Sequence, residues 1–130
     1  MAQRPLKALL DTHTLVWALS EPERLSAKAR RTLSTAEVSA SVASLWELIL
    51  KAGKKDVLLD QPVRWWDKHV AGNGIQVLSI RVSHVSALER LPELHRDPFD
   101  RILIAQAVAE ELAIVSMDSR LAGYGVQVIW

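Results

Sequence analysis

Four acidic residues of this 130-residue chain stand where chemistry is possible: Asp11, Glu47, Asp100 and Asp118. Asp11 and Asp118 each follow a short apolar run, Glu47 lies between Leu45-Trp46 and Leu48-Ile49, and Asp100 opens a long apolar segment. Carboxylates brought together are costly, because like-charge repulsion and desolvation both oppose ionisation. A hard divalent cation removes that cost. Mg²⁺ or Mn²⁺ prefers oxygen ligands and leaves room for water and a substrate phosphate. A site of this kind can activate water and stabilise charge on a phosphodiester. The chain has no cysteine, and His13, His69, His84 and His95 are scattered, which argues against zinc. Each acid also has a plain structural alternative. Asp11 and Asp118 could cap the segments after them, Asp100 could serve a helix dipole, and Glu47 could lie on an exposed stripe.

The elements that must carry these acids are legible in outline. Residues 7–10 read as a strand ending at Asp11, followed by an apolar helical segment from Leu15 to Leu19 that Glu21-Pro22-Glu23 breaks. Ser26 caps the next helix, and Glu37 to Ser41 reads as a second strand. Ser41 or Ser44 caps a helix running to about Ala52, with Gly53 stopping it and Glu47 in its middle. Lys54, Lys55 and Asp56 form a polar turn. Pro62 starts a helix through about Val70, which Gly72-Asn73-Gly74 ends. Ile75 to Ile80 is a third strand, and Ser83 caps a short helix to about Leu91, closed by Pro92. Asp97 is an N-cap with Pro98 at the first helical position, where a missing N–H costs nothing. Asp97 is explained by that cap alone, so Asp100 is preferred as the third acid and Asp97 is kept as the alternative. From Phe99 to Leu112 apolar residues occupy almost every side, as in a helix buried on more than one face. Residues 113–116 form a buried strand, Asp118 lies just past it, and a last apolar strand closes the chain. Strands alternating with helices imply an α/β fold with a parallel sheet covered on both faces. Such sheets gather their chemistry at the carboxyl ends of the strands.

Composition narrows the class. The length suits one domain spanning 1–130, and 49% hydrophobic residues suit a real core rather than a disordered chain. No apolar run approaches the roughly 20 residues that span a bilayer, and Met1 to Pro5 leads directly toward the first strand with no signal peptide. The expected location is the cytoplasm. A net charge of +1 gives no global pull toward nucleic acid, so binding would depend on a local basic patch such as Lys51, Lys54 and Lys55. Adjacent Trp65 and Trp66 cannot share one helix face. Either one stands at an interface, or one packs inward and the other lies under Arg64 or Lys68. Trp17, Trp46 and Trp130 are expected in the core or at its edge.

The segments LLDTHTLVWAL, SLWELILK, HRDPFDRILIAQA and VSMD resemble the PIN-domain ribonucleases, in particular the VapC-like toxins of type II toxin–antitoxin systems. The similarity runs from about Lys7 to Trp130, and DPFDR followed by LIAQA is its most specific part. The resemblance implies a three-layer α/β/α domain with a central, mostly parallel sheet and a Mg²⁺- or Mn²⁺-dependent endoribonuclease site. By motif, the family's acids fall on Asp11, Glu47, Asp100 and Asp118. Its usual threonine two residues before the last acid is Ser116 here, which keeps the hydroxyl. The expected arrangement has Asp11, Asp100 and Asp118 holding the principal ion, with Glu47 binding a second ion or orienting water. Thr12 and Ser116 would support the shell, and Arg101 could contact phosphate or be a solvated helix-end arginine. His13 and His95 lie near the acids and could assist, although metal-activated water requires no histidine. The resemblance also implies a homodimer and a small cognate antitoxin lying across the early helices, with a basic side chain of that partner reaching the carboxylates.

Other functions compete with this one. A phosphatase with a nucleophilic Asp11 lacks the second aspartate two residues on. A module of the same fold that binds RNA or protein without cutting is the main alternative, and metal dependence separates the two. Only the resemblance favours RNA over DNA.

Overall fold

The computed structural model describes residues 4–54, 59–94 and 96–130. Among these residues, five parallel strands form one sheet: β1 (Lys7–Leu10), β2 (Glu37–Ser41), β3 (Gln76–Leu78), β4 (Ala113–Val115) and β5 (Val128–Ile129), in the order β3-β2-β1-β4-β5. The expected "mostly parallel" sheet is parallel at every pairing. Six α-helices connect the described strands: α1 (Thr12–Ser20), α2 (Ala27–Thr35), α3 (Val42–Lys51), α4 (Pro62–His69), α5 (Val82–Ala87) and α6 (Pro98–Glu110).

The period-two alternation of the central strands divides the interior in two. Ala8 and Leu10 of β1 and Ala113 and Val115 of β4 face one core, with Leu15, Leu25, Trp66 and Val70. Leu9 and Ile114 face the other, with Ala43, Ile102, Leu103 and Ile104. This is the three-layer arrangement. Helix α6 buries residues 102–107 without interruption, because it lies between the sheet and further helices, so its apolar residues need no single stripe.

Most capping signals are used as the sequence implies. Ser26 accepts from Ala29 N–H, Ser41 (not Ser44) accepts from Ala43 N–H, and Asp97 accepts from the N–H groups of Phe99 and Asp100. The expected Ser83 cap is replaced. Helix α5 begins at Val82 with Arg81 as N-cap, and the buried His84 caps it from inside by accepting Arg81 N–H at 3.0 Å. The expected helix to Leu91 ends as α5 at Ala87 followed by a 3₁₀ turn over Leu88–Arg90, and the third strand shortens to Gln76–Leu78. The expected polar turn at Lys54-Lys55-Asp56 lies partly outside the described residues, as do the first three residues.

Because Nδ1 of His84 accepts a backbone proton, the ring carries its own proton on Nε2 and donates it to Glu110 Oε1 at 2.9 Å, tying α5 to α6. That hydrogen bond holds the Glu110 carboxyl below its ordinary value of 4.5, with Arg81 adding its charge. A folded value below the unfolded one means the contact stabilises above pH 4.5 and is lost as pH falls through the folded value. Glu110→Gln should therefore lower the urea midpoint at pH 7, and its difference from wild type should shrink as pH falls through the folded value. Equal midpoints at pH 7 would show that the pair contributes nothing.

The tryptophans separate by environment. Trp66 is buried in the first core, whereas Trp65 is half-buried and donates its Nε1–H to Ser20 Oγ at 3.0 Å. Trp65 is thus engaged with the end of α1. Trp17 and Trp130 pack against each other at the edge of the same core. Trp46 departs from expectation: it is 55% exposed and stands edge-on to Phe99 at 5.0 Å. Its helix turns Ala43, Ser44, Glu47 and Leu48 inward, and position 46 falls outside that face.

Candidate active site

The strand order reverses at β1. The chain runs from β1 through β2 to β3 on one side, then returns to β4 and β5 on the other. The carboxyl ends of β1 and β4 therefore flank the switch point where open α/β sheets bind ligands. Asp11 follows β1, and Ser116 and Asp118 follow β4. Residues 105 positions apart in sequence meet there: Ser116 Oγ donates to Asp11 Oδ2, and the same hydroxyl accepts Asp118 N–H at 3.0 Å. Ser116 is fully buried and so fixes the spacing between the two strand ends.

Both aspartates also serve as caps, so the structural alternative is realised alongside the juxtaposition. Asp11 Oδ1 accepts Thr14 N–H at 2.9 Å at the start of α1. Asp118 Oδ1 accepts Arg120 N–H at 3.0 Å at the start of a 3₁₀ segment over Ser119–Tyr124. Capping uses one oxygen of a carboxylate and leaves lone pairs for other partners. A cleft of about 310 Å³ opens beside them, lined by Asp11, His13, Thr14, Trp17, Met117 and Asp118. His13 is exposed at its edge, with its ring edge-on to Trp17 at 5.7 Å.

Helix α3 supplies the third carboxylate. Glu47 is 5% exposed, so it does not lie on an exposed stripe, and Lys51 one turn later reaches its Oε2 at 2.6 Å. That hydrogen bond holds the Lys51 ammonium above its ordinary value against the desolvation it suffers, and the charges of Asp97 and Asp100 act in the same direction. Thr12 is buried and donates to Ser44 Oγ at 3.0 Å, which joins the start of α1 to α3. The first turn of α6 brings Asp100, half-buried, while Asp97 remains exposed and spends Oδ1 on two backbone N–H groups. Arg101 donates to the Pro92 carbonyl at 2.8 Å, the contact of a helix-end arginine bracing a loop. His95 and Lys55 lie outside the described residues, and Lys54 is exposed.

Two cations stand among these acids. Arg120 grips Asp118 with both arms of its guanidinium, Nε to Oδ1 at 2.9 Å and Nη2 to Oδ2 at 2.8 Å. The pair keeps Arg120 above its ordinary value, and Asp100 adds to the effect. The charge of Asp100 thus acts on both Lys51 and Arg120. Lys51 was legible from its i, i+4 spacing to Glu47. Arg120 carries no sequence signal beyond its nearness to Asp118.

The donor set suits a hard cation in chemistry, being oxygens with no thiolate or imidazole. Among the described residues, however, no three His, Cys, Asp or Glu side chains are gathered closely enough to hold a metal. Asp118 and Glu47 are turned to Arg120 and Lys51 instead.

The family model of the PIN domain matches residues 8–126. The chain is 31% identical over 118 residues to ribonuclease VapC22 of Mycobacterium tuberculosis, covering 89% of this chain and 90% of that protein. Among solved structures, the fold is similar to a chain of VapBC2 from Rickettsia felis bound to a promoter DNA fragment (TM-score 0.68, 16% identity, 95% and 97% of the two chains covered). It is also similar to DNA-bound VapBC from Salmonella typhimurium (TM-score 0.66, 22% identity, 95% and 96% covered). At these identities the structural likeness establishes the fold.

Proposed function

The chain belongs to the PIN domain family, and from that premise we propose that it is a metal-dependent endoribonuclease, the toxin of a type II toxin–antitoxin pair, formed by one PIN-like domain over 1–130. The observation that carries this reading is the Asp11–Ser116–Asp118 bridge at the switch point of the sheet, in a chain 31% identical to a ribonuclease. Asp11, Asp100 and Asp118 would hold the principal Mg²⁺ or Mn²⁺. Asp100 is preferred to Asp97 because it is half-buried and its charge reaches both cations of the cluster. Bound there, such an ion supplies Lewis-acid stabilisation of the phosphodiester and a water of lowered pKa. Ser116 orients Asp11 by donating to it and braces the Asp118 backbone by accepting from it. Glu47, buried on α3, would bind a second ion or orient the attacking water. Thr12 acts at one remove, by fixing α1 to α3 through Ser44.

The partners follow from the relatives. The solved neighbours are toxin–antitoxin complexes, which supports a cognate antitoxin for this chain. Trp46, Ile49 and Leu50 of α3 and Val82 and Val85 of α5 are exposed apolar residues suited to such contacts and to a homodimer. No helix of the described residues is long and apolar enough to cross a membrane.

Cleavage of purified total RNA tests the activity. Discrete products are expected with Mn²⁺ or Mg²⁺, none in EDTA, and recovery on adding the metal back. An RNA-binding protein that cuts nothing under any of these conditions would point to the non-catalytic module.

A further inference from the structure

Resting on the metal-site reading above, we infer that Arg120 is an internal counter-ion, which holds Asp118 until a divalent cation takes its place and then serves as a positioning residue for an RNA phosphate at the rim. The grip is bidentate and fully formed, at 2.8 and 2.9 Å, so both oxygens of Asp118 are engaged. Asp118 is only 27% exposed at its side chain, whereas Arg120 is 74% exposed. The carboxylate is therefore held by the fold, and the arginine is the partner able to leave. It leaves into solvent, to which most of its side chain is already open.

Charge balance makes the exchange natural. Asp118 and Asp100 both act on Arg120, and Asp11 is joined to Asp118 through Ser116, so the acids around this arginine outnumber it. A divalent cation brings one more positive charge to Asp118 than the guanidinium it displaces. The displaced arginine remains tethered beside it, where its fork is available to an anionic group such as a phosphate. A planar fork that fits a carboxylate also fits a phosphate, and Arg120 is separated by a single residue from the acid that would hold the ion. The arrangement also accounts for the failure of three acids to gather as they stand. Asp118 is turned toward Arg120 and Glu47 toward Lys51, each by a contact of its own.

Mn²⁺ binding, read by electron paramagnetic resonance of the free ion, separates this role from a surface ion pair. Arg120→Gln should bind Mn²⁺ about two- to five-fold more tightly than wild type, the size expected for removing an exposed competing pair. Its KM for RNA should rise while kcat at saturating Mn²⁺ changes less. Arg120→Lys keeps the charge but loses the fork, so it should also bind Mn²⁺ more tightly than wild type, whereas a purely long-range effect of charge would leave its affinity unchanged. Mn²⁺ affinity equal to or weaker than wild type in Arg120→Gln, or an unchanged KM, would overturn the inference. Asp118→Asn is the control for the underlying site. If it binds Mn²⁺ as wild type does, the metal reading itself fails and the role of Arg120 with it.

Discussion

Asp11→Asn should abolish RNA cleavage and leave the protein folded. Asparagine is as good an N-cap as aspartate, so Oδ1 keeps the Thr14 N–H and α1 keeps its start. The Ser116 hydroxyl can turn and accept from the new amide, so the bridge between the strand ends survives in altered polarity. What disappears is one negative charge at the cleft. Residues that merely support a metal ligand cost about 10–100-fold when removed, so loss of a ligand should exceed about 100-fold. Asp118→Asn should behave alike. Asp11→Ala is the poorer probe, because it also forfeits a cap worth about 1 kcal/mol. Turnover assays beside a thermal melt settle the matter. An Asp11→Asn protein that cuts at the wild-type rate would remove Asp11 from the site.

Trp66→Ala should be the most damaging single change to the fold. Trp66 is 6% exposed and packs in the core shared by Leu10, Leu15, Val70 and Val115. Truncating a buried tryptophan costs about 3–5 kcal/mol, since the cavity left behind collapses only in part. A domain of this size has a total of about 5–15 kcal/mol to lose. The melting midpoint should fall by roughly 10–25 °C. Trp65→Ala, next door, should cost much less: its ring is half-buried, and the hydrogen bond to Ser20 lies at an exposed site. Its larger effect would then be on partner binding, if that edge is an interface. Urea titrations of both proteins would show the order, and a Trp66→Ala protein as stable as wild type would contradict the packing described.

The sequence by itself determined the layers and the ends of most elements. Continuous apolar runs in residues 7–10 and 113–115, Ser26, Asp97-Pro98 and Gly53 are local signals, and local signals survive because capping and strand burial depend on neighbours within a few residues. The family motif likewise marked the acids, since motif residues are contiguous in type even where their meeting is not. Ser83 misled because a hydroxyl before an apolar run is a sound local cap, yet a buried histidine held by Glu110, 26 residues away, caps the helix from inside. Trp46 misled because a tryptophan is costly to expose, but its position on α3 is dictated by Glu47 and Leu48 turning inward.

Only the tertiary structure decided what each acid touches. That Ser116 joins Asp11 to Asp118, that Thr12 holds Ser44, and that Asp100 is felt by both Lys51 and Arg120 all depend on which strands are adjacent. Strand order is set by the packing of whole helices on the two faces of the sheet. No window of residues contains it, so the counter-ions of the cluster become legible only once β1 and β4 lie side by side.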